Sequence, residues 1–187
     1  MMARILSSPV FVLLLLAFPL ASPPLAAAAK RDPATYFFDE TWGDLREELE
    51  IARREGKKGI LIFFELDECP FCHRMKRSVL NQPEVQDYFR EHFRIFTIDI
   101  EGDVEMVDFD GNPTTQKDFS FKANRVRATP VMVFYGLDGR ELMRYTGATS
   151  GVEEFLWLGQ FIAEGHYQTM RFTKYKRQKA RAARQSR

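Results

Sequence analysis

The feature that most constrains the fold is one stretch of chain. The apolar run Gly59-Ile60-Leu61-Ile62-Phe63-Phe64-Glu65-Leu66 is broken by Asp67-Glu68 and followed at once by Cys69-Pro70-Phe71-Cys72. A nearly continuous apolar run of this length suits a strand buried on both faces, as in a partly parallel sheet covered by helices. The next residues, through Lys76 to about Leu80, are polar and helix-compatible. Pro70 fits the first helical position, where its missing N–H would be unpaired anyway. A strand that runs directly into a helix belongs to a βαβ crossover. Both cysteines then sit at the carboxyl end of the strand, the edge where active sites of open α/β sheets gather.

The rest of the chain supports an α/β fold with a mixed central sheet flanked by helices, in one domain. Thr41 is expected to open a helix, with Asp44 three residues on in capping-box relation; Trp42, Leu45, Leu49 and Ala52 give its apolar face and Gly56 ends it. Pro83 suits the first turn of a helix bearing Val85, Tyr88 and Phe89. Arg94 to Ile100 alternates and reads as a strand, and 101–117 reads as a long acidic, exposed connection. A short helix is expected over 118–124. Strands follow at Val131–Tyr135 and Glu141–Tyr145, joined by a Leu137-Asp138-Gly139 turn. Ser150 should cap a last helix whose buried stripe is Val152, Phe155, Leu158 and Ile162, with Gly165 as its stop. Phe64 and Phe134 are expected in the core, and Trp42 and Trp157 in packing.

The chain has two cysteines in 187 residues, both in this motif. A bridge closing so short a loop adds little stability, so the pair is better suited to chemistry than to stapling. At a helix start, free N–H groups and the helix dipole stabilise a Cys69 thiolate, the species that attacks disulfides. Cys72, one turn further in, is expected to be more buried and to act as the resolving thiol. A zinc site would need a second ligand pair. There is no other cysteine, and His73, His92 and His166 stand singly. Phe71, between the thiols, is expected to be exposed and to offer substrate an apolar contact. Asp67 and Glu68 disfavour the Cys69 thiolate, whereas His73 and Arg74 favour it.

Charge is unevenly distributed. The whole chain is +1, which gives no reason to expect a polyanionic partner such as nucleic acid, yet residues 30–170 hold eighteen Lys and Arg against all 26 acids, a net −8. Residues 171–187 hold eight basic residues and no acid. Past Tyr175 the tail shows no apolar stripe. It is expected to be disordered and separable, and its functional reading is weak attraction to an anionic membrane. At the other end, Arg4, the apolar run Val10–Ala21 and the small residues Ala26–Ala29 form a secretory signal pattern, with cleavage expected near Ala28/Ala29. The run is shorter than the roughly 20 residues that span a bilayer. No cysteine near that point could carry a lipid.

Cys69-Pro70-Phe71-Cys72, followed about sixty residues later by Ala128-Thr129-Pro130-Val131 at the head of a strand, resembles the thioredoxin superfamily. Within it the chain is most similar to the SoxW-like periplasmic thioredoxins, from about Glu40 to Tyr167. That likeness includes Phe63-Phe64-Glu65, the C-P-F-C-H-R run, the N-Q-P-E-V segment at 81–85, the D-F-D-G connection at 108–111, the hairpin at 136–141 and the A-E-G-H-Y end at 163–167. The resemblance implies a cis peptide bond at Pro130, opposite the active site, and makes Pro70, Phe71 and Thr129 candidate substrate contacts. It also exposes a departure. Where the cytoplasmic members bury an acid six residues before the first cysteine, this chain has Phe63. Glu65, with the same strand parity, is the candidate substitute general base.

The resemblance further implies a monomeric periplasmic dithiol reductant with no cofactor beyond the Cys69–Cys72 pair and no metal. Electrons would come from a membrane thiol donor of the DsbD/CcdA type and pass to secreted substrates, keeping the protein thiols of sulfur-oxidation carriers or apocytochrome c reduced. Two rivals stay open at this point. One is a DsbA-like oxidant. The other is a Cu(I)-binding or thiol-gated module, since paired thiolates favour soft metals.

Overall fold

A computed structural model of the chain describes residues 29–185. The signal-peptide reading, residues 1–29, falls almost wholly outside them. In chain order the elements are α1 (Pro33–Tyr36), α2 (Leu45–Arg54), β1 (Gly59–Glu65), α3 (Pro70–Ser78), α4 (Pro83–His92) and β2 (Phe93–Asp99). Next come β3 (Glu105–Val107), β4 (Pro113–Thr115) and α5 (Gln116–Asp118), which runs into a π-helical turn at Phe119–Ala123. The chain ends with β5 (Val131–Tyr135), β6 (Glu141–Thr146), α6 (Val152–Ala163), a 3₁₀ turn at His166–Gln168, and α7 (Phe172–Gln185).

The main sheet has the order β2-β1-β5-β6. β1 pairs parallel with β2 and antiparallel with β5, and β5 pairs antiparallel with β6. The unbroken apolar character of β1 has the expected cause: both its faces are covered. Leu61 and Phe63 join Met132, Phe134, Phe89 and Phe155 in one core, beneath α3, α4 and α6. Ile60, Ile62 and Phe64 join Leu45, Leu49, Phe96 and Val133 in a second core, beneath α2. α4 and α6 approach closely at Gly159, where an added Cβ would lie 2.8 Å from the Phe89 ring. Gly165 stops α6 with φ +76°, a left-handed conformation that glycine adopts without penalty.

Several expectations are corrected. α2 starts at Leu45 and is capped by Asp44, whose carboxylate accepts from the N–H groups of Arg46 and Glu47. Thr41 lies outside the helix and Trp42 is 99% exposed, so it packs against nothing. The acidic connection contains the β3–β4 hairpin, tied to the body where the Val107 N–H meets the Gly43 carbonyl at 2.8 Å. Gly151, not Ser150, is the N-cap of α6. The roles of donor and acceptor are reversed there: Glu154 in the first turn accepts from the Ser150 N–H and hydroxyl.

The largest correction concerns the tail. Residues 172–185 are helical, and Phe172 and Tyr175 are buried against Phe161 of α6. Lys176 adds a contact from a distant part of the chain, donating to Glu154 at 2.7 Å. Tyr145 of β6 donates to the same carboxylate at 3.0 Å. Burial raises the Glu154 pKa, but the bonds from Lys176, Ser150 and Tyr145 outweigh it and hold the group down to about 2, against an ordinary 4.5. A carboxylate depressed in the folded state stabilises the fold above its unfolded value and loses that effect as pH falls toward the folded one. The thermal-midpoint gap between wild type and Glu154→Gln should therefore be widest near neutrality and narrow between about pH 4.5 and pH 2. An equal gap at both extremes would contradict this.

Candidate active site

β1 delivers the chain to the start of α3, and the helix places the two thiols differently. Cys69 is the N-cap, with extended backbone (φ −78°, ψ 110°), and Pro70 occupies the first turn as expected. The Cys72 N–H, unpaired within the helix, donates to Cys69 Sγ at 3.1 Å. A helix start normally uses a side-chain oxygen for this bond. Here a sulfur does it, so the group that caps the helix is also the reactive one. Both cysteines are free thiols, 7% and 1% exposed for Cys69 and Cys72.

Burial pushes the Cys69 thiol up. The hydrogen bonds its sulfur receives from the Cys72 thiol, the Thr129 side chain and the Cys72 and Phe71 backbone outweigh that and leave its pKa below the ordinary value. Burial also pushes Cys72 up, and the bond it gives to Cys69 adds to the effect, taking it to about 12. The pair is thus divided into a thiol that ionises readily and one that keeps its proton.

The Thr129–Pro130 bond is cis, and Thr129 presents its carbonyl oxygen 3.4 Å from Cys69 Sγ. The head of β5 therefore faces the thiols across the sheet edge. Phe71 is 56% exposed beside Cys69, with the Arg74 guanidinium 5.4 Å from its ring. Cys69, Cys72, Pro70, Phe71, Thr129 and Pro130 are brought together as the sequence suggested. Phe63 is fully buried in the same core as the two cysteines, so an apolar ring fills that side of the site.

Glu65 takes the position its parity required, at the end of β1, but its carboxylate is occupied. Lys76 Nζ lies 2.6 Å from Oε2 and 2.8 Å from Oε1, and the Thr97 hydroxyl donates to Oε1 at 2.6 Å. None of its hydrogen bonds reaches a thiol. Lys76 and Thr97 were missed in the sequence. Lys76 carries a usable signal, because it is four residues beyond Cys72 and so shares its helix face. Thr97 is reached only through the β1–β2 register, in which it pairs with Phe63.

The family model for the thioredoxin-like domain matches residues 45–163. A thioredoxin-fold protein from Helicobacter pylori is 22% identical, with a TM-score of 0.60 and coverage of 68% of this chain and 87% of that one. DsbH oxidoreductase is 20% identical, with a TM-score of 0.53 and coverage of 78% and 92%. A thioredoxin from Thermus thermophilus is 23% identical, with a TM-score of 0.50 and coverage of 67% and 85%. At these identities the likeness is one of fold. No curated protein matches the chain in sequence.

Proposed function

The chain belongs to the thioredoxin-like domain family and is an oxidoreductase of the thioredoxin type; on that premise we propose that it is a periplasmic dithiol reductant of secreted proteins, acting through Cys69 and Cys72. The observation that carries the reading is the split between the thiols: a Cys69 sulfur held by helix N–H groups against a Cys72 proton retained to about 12. The Cys69 thiolate attacks one sulfur of a substrate disulfide. The substrate S–S bond breaks, and its released thiolate takes up a proton. Cys72 then loses its proton and attacks Cys69 Sγ, which breaks the mixed disulfide and frees the second substrate thiol. Two electrons pass to the substrate, and the enzyme is left with a Cys69–Cys72 disulfide for an external dithiol to reduce.

The finer assignment draws on the SoxW-like motifs and on the leader sequence. A membrane dithiol carrier of the DsbD/CcdA type would be the donor, and oxidised cysteines (disulfides) of sulfur-oxidation carriers or apocytochrome c the targets. Glu65, through its pair with Lys76 on the helix that carries Cys72, acts as a positioning residue in this scheme. The direction, reductant rather than oxidant, rests on the SoxW-like motifs; at the site itself Asp67 and Glu68 oppose the Cys69 thiolate while His73 and Arg74 favour it. The test is the midpoint potential of the Cys69–Cys72 couple. A value toward the thioredoxin end, about −270 mV, is expected, and one near the about −120 mV of DsbA would make the protein an oxidant.

A further inference from the structure

α7 is a 14-residue helix whose two faces differ sharply. Phe172 and Tyr175 are buried on the body side, and Lys176, partly covered, ties that side to Glu154. On the opposite side stand Lys174, Arg177, Arg181 and Arg184, all exposed. Their spacing of three, four and three residues keeps them on one side of the helix, over about 15 Å of its length. Among the described residues the ion pair Lys176–Glu154 is the one that α7 makes, so these four cations have no acidic partner there. Docking of the helix converts a basic segment into a fixed, straight row of charge on an otherwise acidic protein.

We propose that this row is an adhesion surface for an anionic lipid bilayer. A protein partner would need an apolar centre, because stable interfaces are depleted of charge at their core, and the exposed side of α7 offers nothing larger than Ala182. The side also lacks aromatic rings on which bases could stack, as single-stranded nucleic acid requires. Insertion into a membrane is not available either. The apolar residues of α7 already face the body, and among the described residues no helix is long and apolar enough to cross a bilayer. On a body that carries −8 over residues 30–170, the exposed row is the basic surface that a sheet of lipid phosphates would meet. The contact is therefore electrostatic, superficial and oriented.

The test compares the full chain with its K174Q/R177Q/R181Q/R184Q variant on vesicles of phosphatidylcholine containing about 30% anionic phosphatidylglycerol and on pure phosphatidylcholine. Both proteins carry the same leader, whose binding cancels in the comparison. The wild type should partition onto the anionic vesicles on the order of several hundred-fold more strongly than the variant, from about tenfold per one to two basic residues. Raising salt to about 0.5 M should remove the difference by screening. On neutral vesicles the two should be equal. A double variant, R177Q/R181Q, should fall between them, and insulin reduction should be the same for all three, which reports an intact fold independently of lipid. Equal binding by wild type and variant to anionic vesicles would overturn the proposal. So would stripping of the wild type by polyglutamate or RNA at matched charge, because the row would then prefer a soluble polyanion.

Discussion

Cys69→Ser should reduce the rate of insulin-disulfide reduction with dithiothreitol to the uncatalysed background. Cys72→Ser should also stop turnover, but with a different product: a mixed disulfide that accumulates on Cys69. The asymmetry follows from the geometry at the start of α3. Cys69 Sγ accepts a backbone N–H and has a lowered pKa, whereas the Cys72 thiol is 1% exposed and is raised to about 12. At neutral pH iodoacetamide should therefore label Cys69 in the native protein and leave Cys72 unlabelled. If Cys69→Ser retained full activity while Cys72→Ser lost it, the roles would be reversed.

The largest loss of stability should come from Phe89→Ala. Phe89 is fully buried on α4 and lies nearly parallel to Phe155 of α6, at 4.2 Å between ring centres. Phe37, Phe93 and Phe134 surround it at 5.8, 5.8 and 6.5 Å. Removing the ring leaves a void that α4 and α6 cannot close. Truncating a buried Phe costs about 3–5 kcal/mol. For a chain of this size that lowers the unfolding midpoint by about 6–20 °C. The exposed Phe71 is the control: Phe71→Ala should change stability by less than about 0.5 kcal/mol. A Phe89→Ala midpoint within about 2 °C of wild type would show that the stack contributes little.

How much of this was legible in the sequence depended on the range of the interaction. The β1 run, Pro70 and Pro83 at helix starts, Gly165 as a stop and Thr129-Pro130 at the head of β5 are local signals, and each appears where it was read. The failures share a cause. Thr41 and Asp44 are both good N-caps, and the choice between them was set by the chain's approach through Gly43 to Val107, a contact with β3. β3 and β4 have three residues each, too few to show alternation against Gly102, Gly111 and Pro113. In the tail, two apolar side chains near Arg171 were too few to announce a docked helix. The deciding partner, Glu154, lies on another helix and reads in sequence only as part of the first turn of α6. Glu65 shows the same division. Parity gave its side of the sheet, but its pairing with Lys76 and Thr97 required three elements to be assembled.

The strand order has a consequence for how the chain comes into being. β1 sits in the middle of the sheet, and its parallel neighbour β2 follows it after two helices. Its other neighbour, β5, arrives only after the hairpin and the segment that ends at Pro130, when Phe64 can pair with Val131 and Ile60 with Tyr135. Until then this apolar strand has an open edge, and the face it shares with α6 is only partly covered. Such an edge is a template for pairing with other chains. Long-range closure of this kind is also slow compared with local contacts. A growing chain therefore passes through an interval, ending with the emergence of β5, in which a chaperone that covers the stretch Ile60–Phe64 would suppress aggregation more than one acting on any helix.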